Sequence, residues 1–149
     1  MIVVDASVFI DSLFSSNAER YQKSIDFLKA VEGLPIYAPR ILRVELVAVA
    51  RRLGYKGERK ELLEITEKLN LVGENEIINL AEYVADQIHP RAVDTYYIAT
   101  AILTGSILVS NDRLMAENSG KAGIEAYYLL EEHEAAKDKL GELKQNMQD

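Results

Sequence analysis

Four acidic residues lie where a solvated surface acid is not expected. One directly follows the apolar stretch IVV, one has apolar neighbours in RILRVELVAVA, one continues the apolar stripe of a predicted helix, and one closely follows the apolar stretch ILV; they are Asp5, Glu45, Asp94 and Asp112. Acidic side chains are seldom buried unless a partner compensates their charge. We therefore expect these four acids to serve a common purpose.

The chemistry that such a set could perform is metal-dependent hydrolysis. Clustered carboxylates resist ionisation unless a cation is present. Mg²⁺ and Mn²⁺ prefer oxygen ligands, and two such ions about 4 Å apart can activate water and stabilise the leaving oxygen in phosphodiester cleavage. The chain has no cysteine, and its two histidines, His89 and His133, are far apart in sequence, so thiolate or histidine metal sites and a Ser/His/Asp triad are not expected.

Each acid also has a simpler interpretation. Asp5, Asp94 and Asp112 each stand at a predicted helix start, where an acid can cap the helix or interact with its dipole. Glu45 could instead pair with an arginine such as Arg43 or Arg52. These alternatives account for single residues, but they do not explain why all four fall where the edge of a parallel sheet can gather them.

Strands and helices alternate along the chain. The apolar patterns predict strands at 2–4, 35–39, 71–72, 106–110 and 124–129, helices at 7–14, 18–32, 41–53, 58–69, 76–88 and 92–104, and the start of a further helix at about 111. This order is typical of an α/β fold with a mostly parallel sheet and helices on both faces. Ligands of such sheets bind outside the carboxyl ends of the strands, which is where Asp5 and Asp112 are predicted to lie.

The length and composition indicate one domain over residues 1–149. No run of about 18 apolar residues occurs, so no transmembrane helix is expected, and without cysteines the cytoplasm is the expected location. The net charge of −7 argues against a protein that coats DNA with a basic face. Residues 131–149 are expected to form a charged C-terminal tail or surface helix anchored by Leu140, Leu143 and Met147, and Asp11 is expected to be a solvated helix residue.

Four segments resemble, in order and spacing, the motifs of the PIN domain family, and in particular of VapC-type toxin ribonucleases. They are VVDASVFID with Asp5, PRILRVELVAVARR with Glu45, AVDTYYIATAILTG with Asp94, and ILVSNDRLM with Asp112. The resemblance covers roughly residues 1–130. One departure is Ser110, which stands where the family usually has threonine and keeps the hydroxyl.

The resemblance implies a three-layer α/β/α sandwich, a Mg²⁺ or Mn²⁺ site and cleavage of single-stranded RNA. It also implies a homodimer neutralised by a small antitoxin protein in a type II toxin–antitoxin pair. We expect Asp5, Asp94 and Asp112 to hold the metal and Glu45 to hold a second metal or to orient the attacking water. Ser7 and Ser110 would support these ligands by hydrogen bonds.

Candidate RNA contacts are the arginines near the acids, namely Arg40, Arg43, Arg91 and Arg113, although each could equally be solvated or ion-paired. Three other functions stay open at this point: an RNA-processing PIN nuclease outside a toxin–antitoxin system, a non-catalytic PIN module that binds RNA or protein, and a phosphatase with an aspartyl nucleophile. The phosphatase usually has a D-x-D pair after the first strand, whereas this chain has Asp5 and Ser7 at those positions.

Overall fold

Five short strands form one parallel sheet at the centre of the protein, and the computed structural model describes all residues from 1 to 149. In chain order the strands are β1 Ile2–Val4, β2 Ile36–Pro39, β3 Asn70–Val72, β4 Ile107–Ser110 and β5 Ala126–Tyr128. They are arranged as β3-β2-β1-β4-β5, and every neighbouring pair is parallel. The predicted α/β class and parallel sheet are confirmed.

The order of the strands creates a switch point at the middle of the sheet. From β1 the chain moves outward to β2 and β3, then returns to place β4 on the other side of β1 and continues outward to β5. The connections on the two sides of β1 therefore run in opposite directions. A crevice opens at the carboxyl ends of the strands where this reversal occurs, and it is the usual ligand site of open α/β sheets.

Helices cover both faces of the sheet. They are α1 Ala6–Phe14, α2 Ala18–Ala30, α3 Ile41–Arg52, α4 Arg59–Leu63, α5 Glu74–Gln87, α6 Ala92–Thr104, α7 Arg113–Lys121 and α8 Leu129–Gln148. Because parallel crossovers are right-handed, α1 to α4 lie on one face and α5 to α7 on the other. The packing of α1 against α2 and α3, of α2 against α8, and of α5 against α6 agrees with this three-layer arrangement. None of these helices combines the length and apolar composition needed to cross a membrane.

The central strand β1 is wholly apolar because both of its faces are covered. Ile2, Val3 and Val4 of β1 have no exposed surface, and their β-branched side chains suit a buried, pleated strand. Helix α6 packs across β1, β2 and β4 and buries Tyr97 and Ile98 against them. Burial of one such side chain contributes about 1.5–3 kcal/mol, so the strand that carries Asp5 is firmly held.

Several helix boundaries differ from prediction, among them the end of α4 and the start of α1. The helix predicted over 58–69 ends at Leu63 and continues only as a 3₁₀ turn, Glu64–Thr66, in which the Thr66 hydroxyl donates to the carbonyl of Leu63 across 2.7 Å. The helix ends early because β3 begins at Asn70, only a few residues further on. Helix α1 begins at Ala6, one residue before the predicted start, so Ser7 lies in its first turn.

One face of the C-terminal helix α8 is buried in the hydrophobic core. Leu129, Ala136 and Leu140 of α8 are buried in the main hydrophobic core, and α8 packs on α2 and the edge of the sheet. The helix was predicted as a surface element, and its remaining faces are indeed charged. Met147, expected to be an apolar anchor, is 59% exposed, so this part of the prediction was wrong.

Candidate active site

The carboxyl ends of β1 and β4 lie side by side at the switch point. Val4 is paired with Val109, and the backbone N–H of Asp5 donates to the carbonyl of Val109 across 3.0 Å. This pairing sets Asp5, just beyond β1, beside Ser110, the last residue of β4. The side chains that follow these two strands therefore share one edge of the sheet.

Two hydroxyl groups hold one oxygen of Asp5. Ser110 Oγ donates to Asp5 Oδ2 across 2.7 Å, and Ser7 Oγ donates to the same oxygen across 2.8 Å. The same hydroxyls accept the backbone N–H groups of Asp112 and Asn111, each across 2.9 Å. Asp5 stands at the N-cap of α1, but its side chain makes no capping hydrogen bond. Asp5 Oδ2 is thus held by Ser110 at the end of β4 and by Ser7 in α1, and Oδ1 has no hydrogen-bond partner.

The environment of Asp5 opposes its ionisation. Burial raises the pKa of Asp5 to about 6, while the hydrogen bonds from Ser110 and Ser7 lower it and the negative charges of Asp94 and Asp112 raise it further. The effect of the two other acids on Asp5 shows that the three carboxylates lie in one electrostatic neighbourhood. A divalent cation placed there would relieve both the repulsion and the cost of burial.

Helix α3 brings Glu45 to the same neighbourhood, where a phenol binds it. The hydroxyl of Tyr97, on α6, donates to Glu45 Oε1 across 2.5 Å, and Oε2 has no hydrogen-bond partner. The salt bridge with Arg43 or Arg52 that was considered for Glu45 is not formed. Glu45 is therefore positioned by a neutral donor, which leaves its negative charge uncompensated.

The pKa of Glu45 reflects this lack of compensation. Burial raises it to about 7, the hydrogen bond from Tyr97 lowers it, and the charges of Asp5 and Asp94 raise it. For Tyr97, burial and then the charge of Glu45 raise the pKa well above its ordinary value, so the phenol stays protonated and remains a donor. A carboxyl group that titrates near neutral pH is suited to accept a proton from water.

Asp94 lies in the first turn of α6 and is held from behind by a buried histidine. His89 Nε2 lies 2.9 Å from Asp94 Oδ2, and Arg91 Nε lies 3.4 Å from the same oxygen. Asp94 Oδ1 has no hydrogen-bond partner. The side chain of Asp94 is 18% exposed, so this helix-start acid is more enclosed than an ordinary first-turn residue.

Asp112 is both a helix cap and an ion-pair partner. Its Oδ1 accepts the backbone N–H of Met115 across 3.2 Å at the start of α7, as the capping alternative predicts. The guanidinium of Arg91 donates to both carboxylate oxygens of Asp112, across 2.7 and 3.1 Å. Burial opposes ionisation of Asp112, but the hydrogen bonds from Arg91 and Met115 outweigh it, so the pKa of Asp112 is lowered.

Oxygen donors for a divalent cation are present, although they do not yet surround one position. Asp5, Glu45 and Asp94 each have one carboxylate oxygen without a hydrogen-bond partner, and such oxygens are the ligands that Mg²⁺ and Mn²⁺ prefer. No three acidic or histidine side chains are placed to share one ion, while Arg91 bridges Asp94 and Asp112. The donor chemistry therefore fits a hard divalent cation, which would have to compete with Arg91.

The four arginines proposed to contact RNA have different surroundings. Arg91 lies at the acids, as just described. Arg43 lines a groove of about 310 Å³ together with Arg59 and Lys60, and Arg40 is exposed at the start of α3. Arg113 is directed away: its guanidinium pairs with Glu131 and lies 4.7 Å from the ring centre of Tyr128. The structure thus brings Arg91 to the acids and engages Arg113 elsewhere.

Asp11 was predicted to be a solvated helix residue, and that prediction was wrong. Its side chain is 13% exposed, and it forms a salt bridge with Arg20 across 2.9 Å. Asp11 Oδ2 also accepts the side-chain amide of Asn111 across 2.8 Å, and the same amide donates to Ser24 across 2.8 Å. Asp11 therefore helps to fix the loop between Ser110 and Asp112, a role that no local pattern reveals.

Sequence reasoning also missed His89 and Tyr97. His89 was set aside because the two histidines are remote from each other, yet its partner is the acid five residues later. Tyr97 is one turn beyond Asp94 on α6, so helical spacing places both on the same side of that helix. That proximity was the one signal available, because the pairing of Tyr97 with Glu45 joins helices that are distant in sequence.

The fold and the site together define an α/β/α protein with an acidic cluster at the switch point of a parallel sheet. The model of the PIN domain family matches residues 2–121, which is most of the chain, and the chain belongs to this family. PIN domains are generally nucleases that act on RNA and use divalent metal ions. A search of the curated proteins found no match. The resemblance predicted from the four motifs is confirmed for the family.

Proposed function

We propose that this protein is a Mg²⁺- or Mn²⁺-dependent endoribonuclease that cleaves single-stranded RNA at the site formed by Asp5, Glu45, Asp94 and Asp112. The observation that carries the proposal is the shared electrostatic neighbourhood of these acids at the switch point. The charges of Asp94 and Asp112 raise the pKa of Asp5, and those of Asp5 and Asp94 raise the pKa of Glu45. A site that only bound neutral groups would gain nothing from this repulsion.

Each acid has a role that follows from its surroundings. Asp5, Asp94 and Asp112 would hold the cation, because two of them offer an unpartnered oxygen and the third is exchangeably paired with an exposed arginine. Ser7 and Ser110 orient Asp5 through the hydrogen bonds already described. When bound, the cation supplies charge neutralisation for the phosphate and lowers the pKa of a water molecule.

Glu45 is suited to receive the proton of the attacking water. Its pKa of about 7 places the change of protonation close to neutral pH, and Oε2 is not engaged by the protein. Tyr97 holds Oε1 and thereby fixes the direction of the carboxyl group. Attack of water in line with the leaving 3′-oxygen produces a 5′-phosphate and a 3′-hydroxyl.

RNA positioning is assigned to the basic groove beside α3. Three cations, Arg43, Arg59 and Lys60, face one acid there, although the protein as a whole carries a net charge of −7. Phosphate contacts of this kind place a strand without reading its sequence. Arg40 and, when released from Asp112, Arg91 would extend the contacts toward the acids.

The biological role proposed is that of a VapC-type toxin in a type II toxin–antitoxin pair. What supports this finer assignment is the order and spacing of the four motifs and the length of the chain. It carries with it a homodimer, a small antitoxin partner and a cytoplasmic location. A nuclease that processes RNA outside such a pair would share the chemistry and would differ in its effect on growth.

Cleavage of a labelled single-stranded RNA tests the enzymatic proposal. Wild-type protein with Mg²⁺ or Mn²⁺ should cleave, and EDTA, Asp5→Asn or Asp94→Asn should each reduce the rate by at least a hundredfold. Asp138→Asn is the matched control, since Asp138 is an exposed acid on α8 with no ion pair. Cleavage that persists in EDTA and in both site variants would refute the proposal.

Expression in a host cell tests the toxin role. The wild-type protein should arrest growth, Asp5→Asn should not, and the product of a neighbouring small reading frame should restore growth. Absence of arrest by a protein that cleaves RNA in vitro would retain the nuclease and reject the toxin role.

A further inference from the structure

His89 is completely enclosed at the junction of α5 and α6. Its side chain has no exposed surface, its backbone N–H donates to the carbonyl of Val84 across 2.9 Å, and Pro90 follows it. Burial of a polar ring is costly unless both ring nitrogens have partners. Both do: Nδ1 lies 2.7 Å from Asn118 Nδ2 and Nε2 lies 2.9 Å from Asp94 Oδ2.

The partner on the far side of the ring sets the direction of the hydrogen bonds. The side-chain nitrogen of Asn118 can only donate, so Nδ1 of the neutral ring must be the acceptor and Nε2 must carry the hydrogen. The hydrogen on Nε2 is therefore donated to Asp94 Oδ2. Asn118 lies on α7 and is 4% exposed, so a chain of two hydrogen bonds links α7, the α5–α6 junction and α6.

We propose that His89, held by Asn118, is a positioning residue that orients Asp94 for cation binding. The hydrogen bond engages Oδ2 and leaves Oδ1 without a partner in the protein. The same arrangement occurs at Asp5, where Ser7 and Ser110 both donate to Oδ2 and leave Oδ1 without a partner. Metal ligands generally depend on such supporting hydrogen bonds, whose loss weakens metal affinity or activity about 10–100-fold. This inference rests on the proposed function, because it assigns Asp94 to the cation.

A variant pair separates this role from simple core packing. His89→Phe combined with Asn118→Leu removes the donor to Asp94 and replaces both polar groups, so that neither is left buried without a partner. The control combines Thr104→Val with Ser106→Ala, which removes a partly buried hydroxyl pair, 2.6 Å apart, at the opposite edge of the sheet. His89→Gln retains a side-chain amide that can donate to Asp94.

The experiment measures Mn²⁺ dissociation constants by electron paramagnetic resonance of the free ion, with circular dichroism showing that each protein is folded. The double variant should bind Mn²⁺ at least tenfold more weakly than wild type, the control should match wild type, and His89→Gln should recover part of the loss. In an Asp94→Asn background the double variant should have no further effect, because the carboxylate that His89 orients toward the cation is no longer present. In RNA cleavage, kcat should fall while KM changes little.

Equal Mn²⁺ affinity in the double variant and the wild type would overturn the inference and leave the proposed nuclease intact. Failure of the wild type itself to bind Mn²⁺ at millimolar concentration would overturn both. Should the double variant not fold, Asn118→Leu alone decides, since it keeps the buried ring but no longer fixes its tautomer. Its Mn²⁺ affinity should fall at least threefold, and an unchanged affinity would contradict the inference.

Discussion

Replacement of Asp5 by asparagine should stabilise the metal-free protein, although Asp5 is proposed to be essential for catalysis. Asparagine keeps the shape of the side chain, and its oxygen can still accept the hydrogen bonds of Ser7 and Ser110. What it removes is a buried negative charge that lies close to other acids. The Asp5→Asn variant should therefore be more stable than wild type and yet inactive.

The magnitude follows from the pKa of Asp5. Its rise from 3.8 to about 6 corresponds to about 3 kcal/mol of free energy, at 1.36 kcal/mol for each pH unit. Asp5 is 5% exposed, so solvent screening removes little of this. The amide nitrogen that replaces Oδ1 has no obvious partner, which offsets part of the gain, and we expect a net stabilisation of about 2 kcal/mol.

The difference in stability between Asp5→Asn and wild type depends on pH. A carboxyl whose pKa is higher in the folded state resists ionisation only there, so its cost is absent below about pH 3.8, grows between pH 3.8 and 6, and is complete above pH 6. Asparagine is neutral throughout. The gain from removing the charge should therefore be absent at pH 3.5, where the unpartnered amide leaves Asp5→Asn about 1 kcal/mol less stable than wild type, and it should be largest at pH 8.

Urea unfolding in EDTA at the two pH values measures this difference. Asp112→Asn is the contrasting variant: asparagine can still cap α7 but loses the ion pair with Arg91, so the variant should be less stable than wild type by up to about 1 kcal/mol at pH 8. If Asp5→Asn were instead less stable than wild type at pH 8, Asp5 would be a structural residue of α1 and the electrostatic reasoning would be wrong.

Three further outcomes are expected. Tyr97→Phe removes the hydrogen bond that lowers the pKa of Glu45. The acidic limb of the pH profile of kcat/KM should therefore move to higher pH, and an unmoved limb would exclude Glu45 as the titrating group. Arg91→Gln should raise Mn²⁺ affinity severalfold in calorimetric titrations, because the cation no longer competes with a guanidinium for Asp112. Weaker binding would mean that Arg91 contributes to cation binding. Arg59→Gln should weaken binding of uncleavable RNA and reduce the salt dependence of that binding by about one ion, and an unchanged salt slope would place the RNA elsewhere.

The positions of Asp5 and Asp112 could be predicted because strand ends are strongly encoded. The apolar stretches IVV and ILV each form a buried strand, and the parallel register of β1 and β4 carries the following residues to the same edge. Alternation of strands and helices likewise predicted the α/β class. The break after Leu63 was not predicted, because the charged pattern of 58–69 continues through a turn whose cause is the start of β3.

The partners of the acids could not be predicted, since they come from contacts between elements distant in sequence. Repulsion among four free carboxylates was the expectation, but Arg91 neutralises Asp112, and the electrostatic cost falls on Asp5 and Glu45. The donor to Glu45 is a tyrosine on another helix. Helical periodicity places a residue on a face, but it does not state which side chain of the opposing element will meet it.

A crystal structure of the wild-type protein grown with MnCl₂ would reveal whether the acids bind the cation. We expect an anomalous peak bounded by Asp5, Asp94 and Asp112, with the guanidinium of Arg91 withdrawn from Asp112. A fully folded protein whose carboxylates show no Mn²⁺ at millimolar concentration, and in which Arg91 still bridges Asp94 and Asp112, would contradict it.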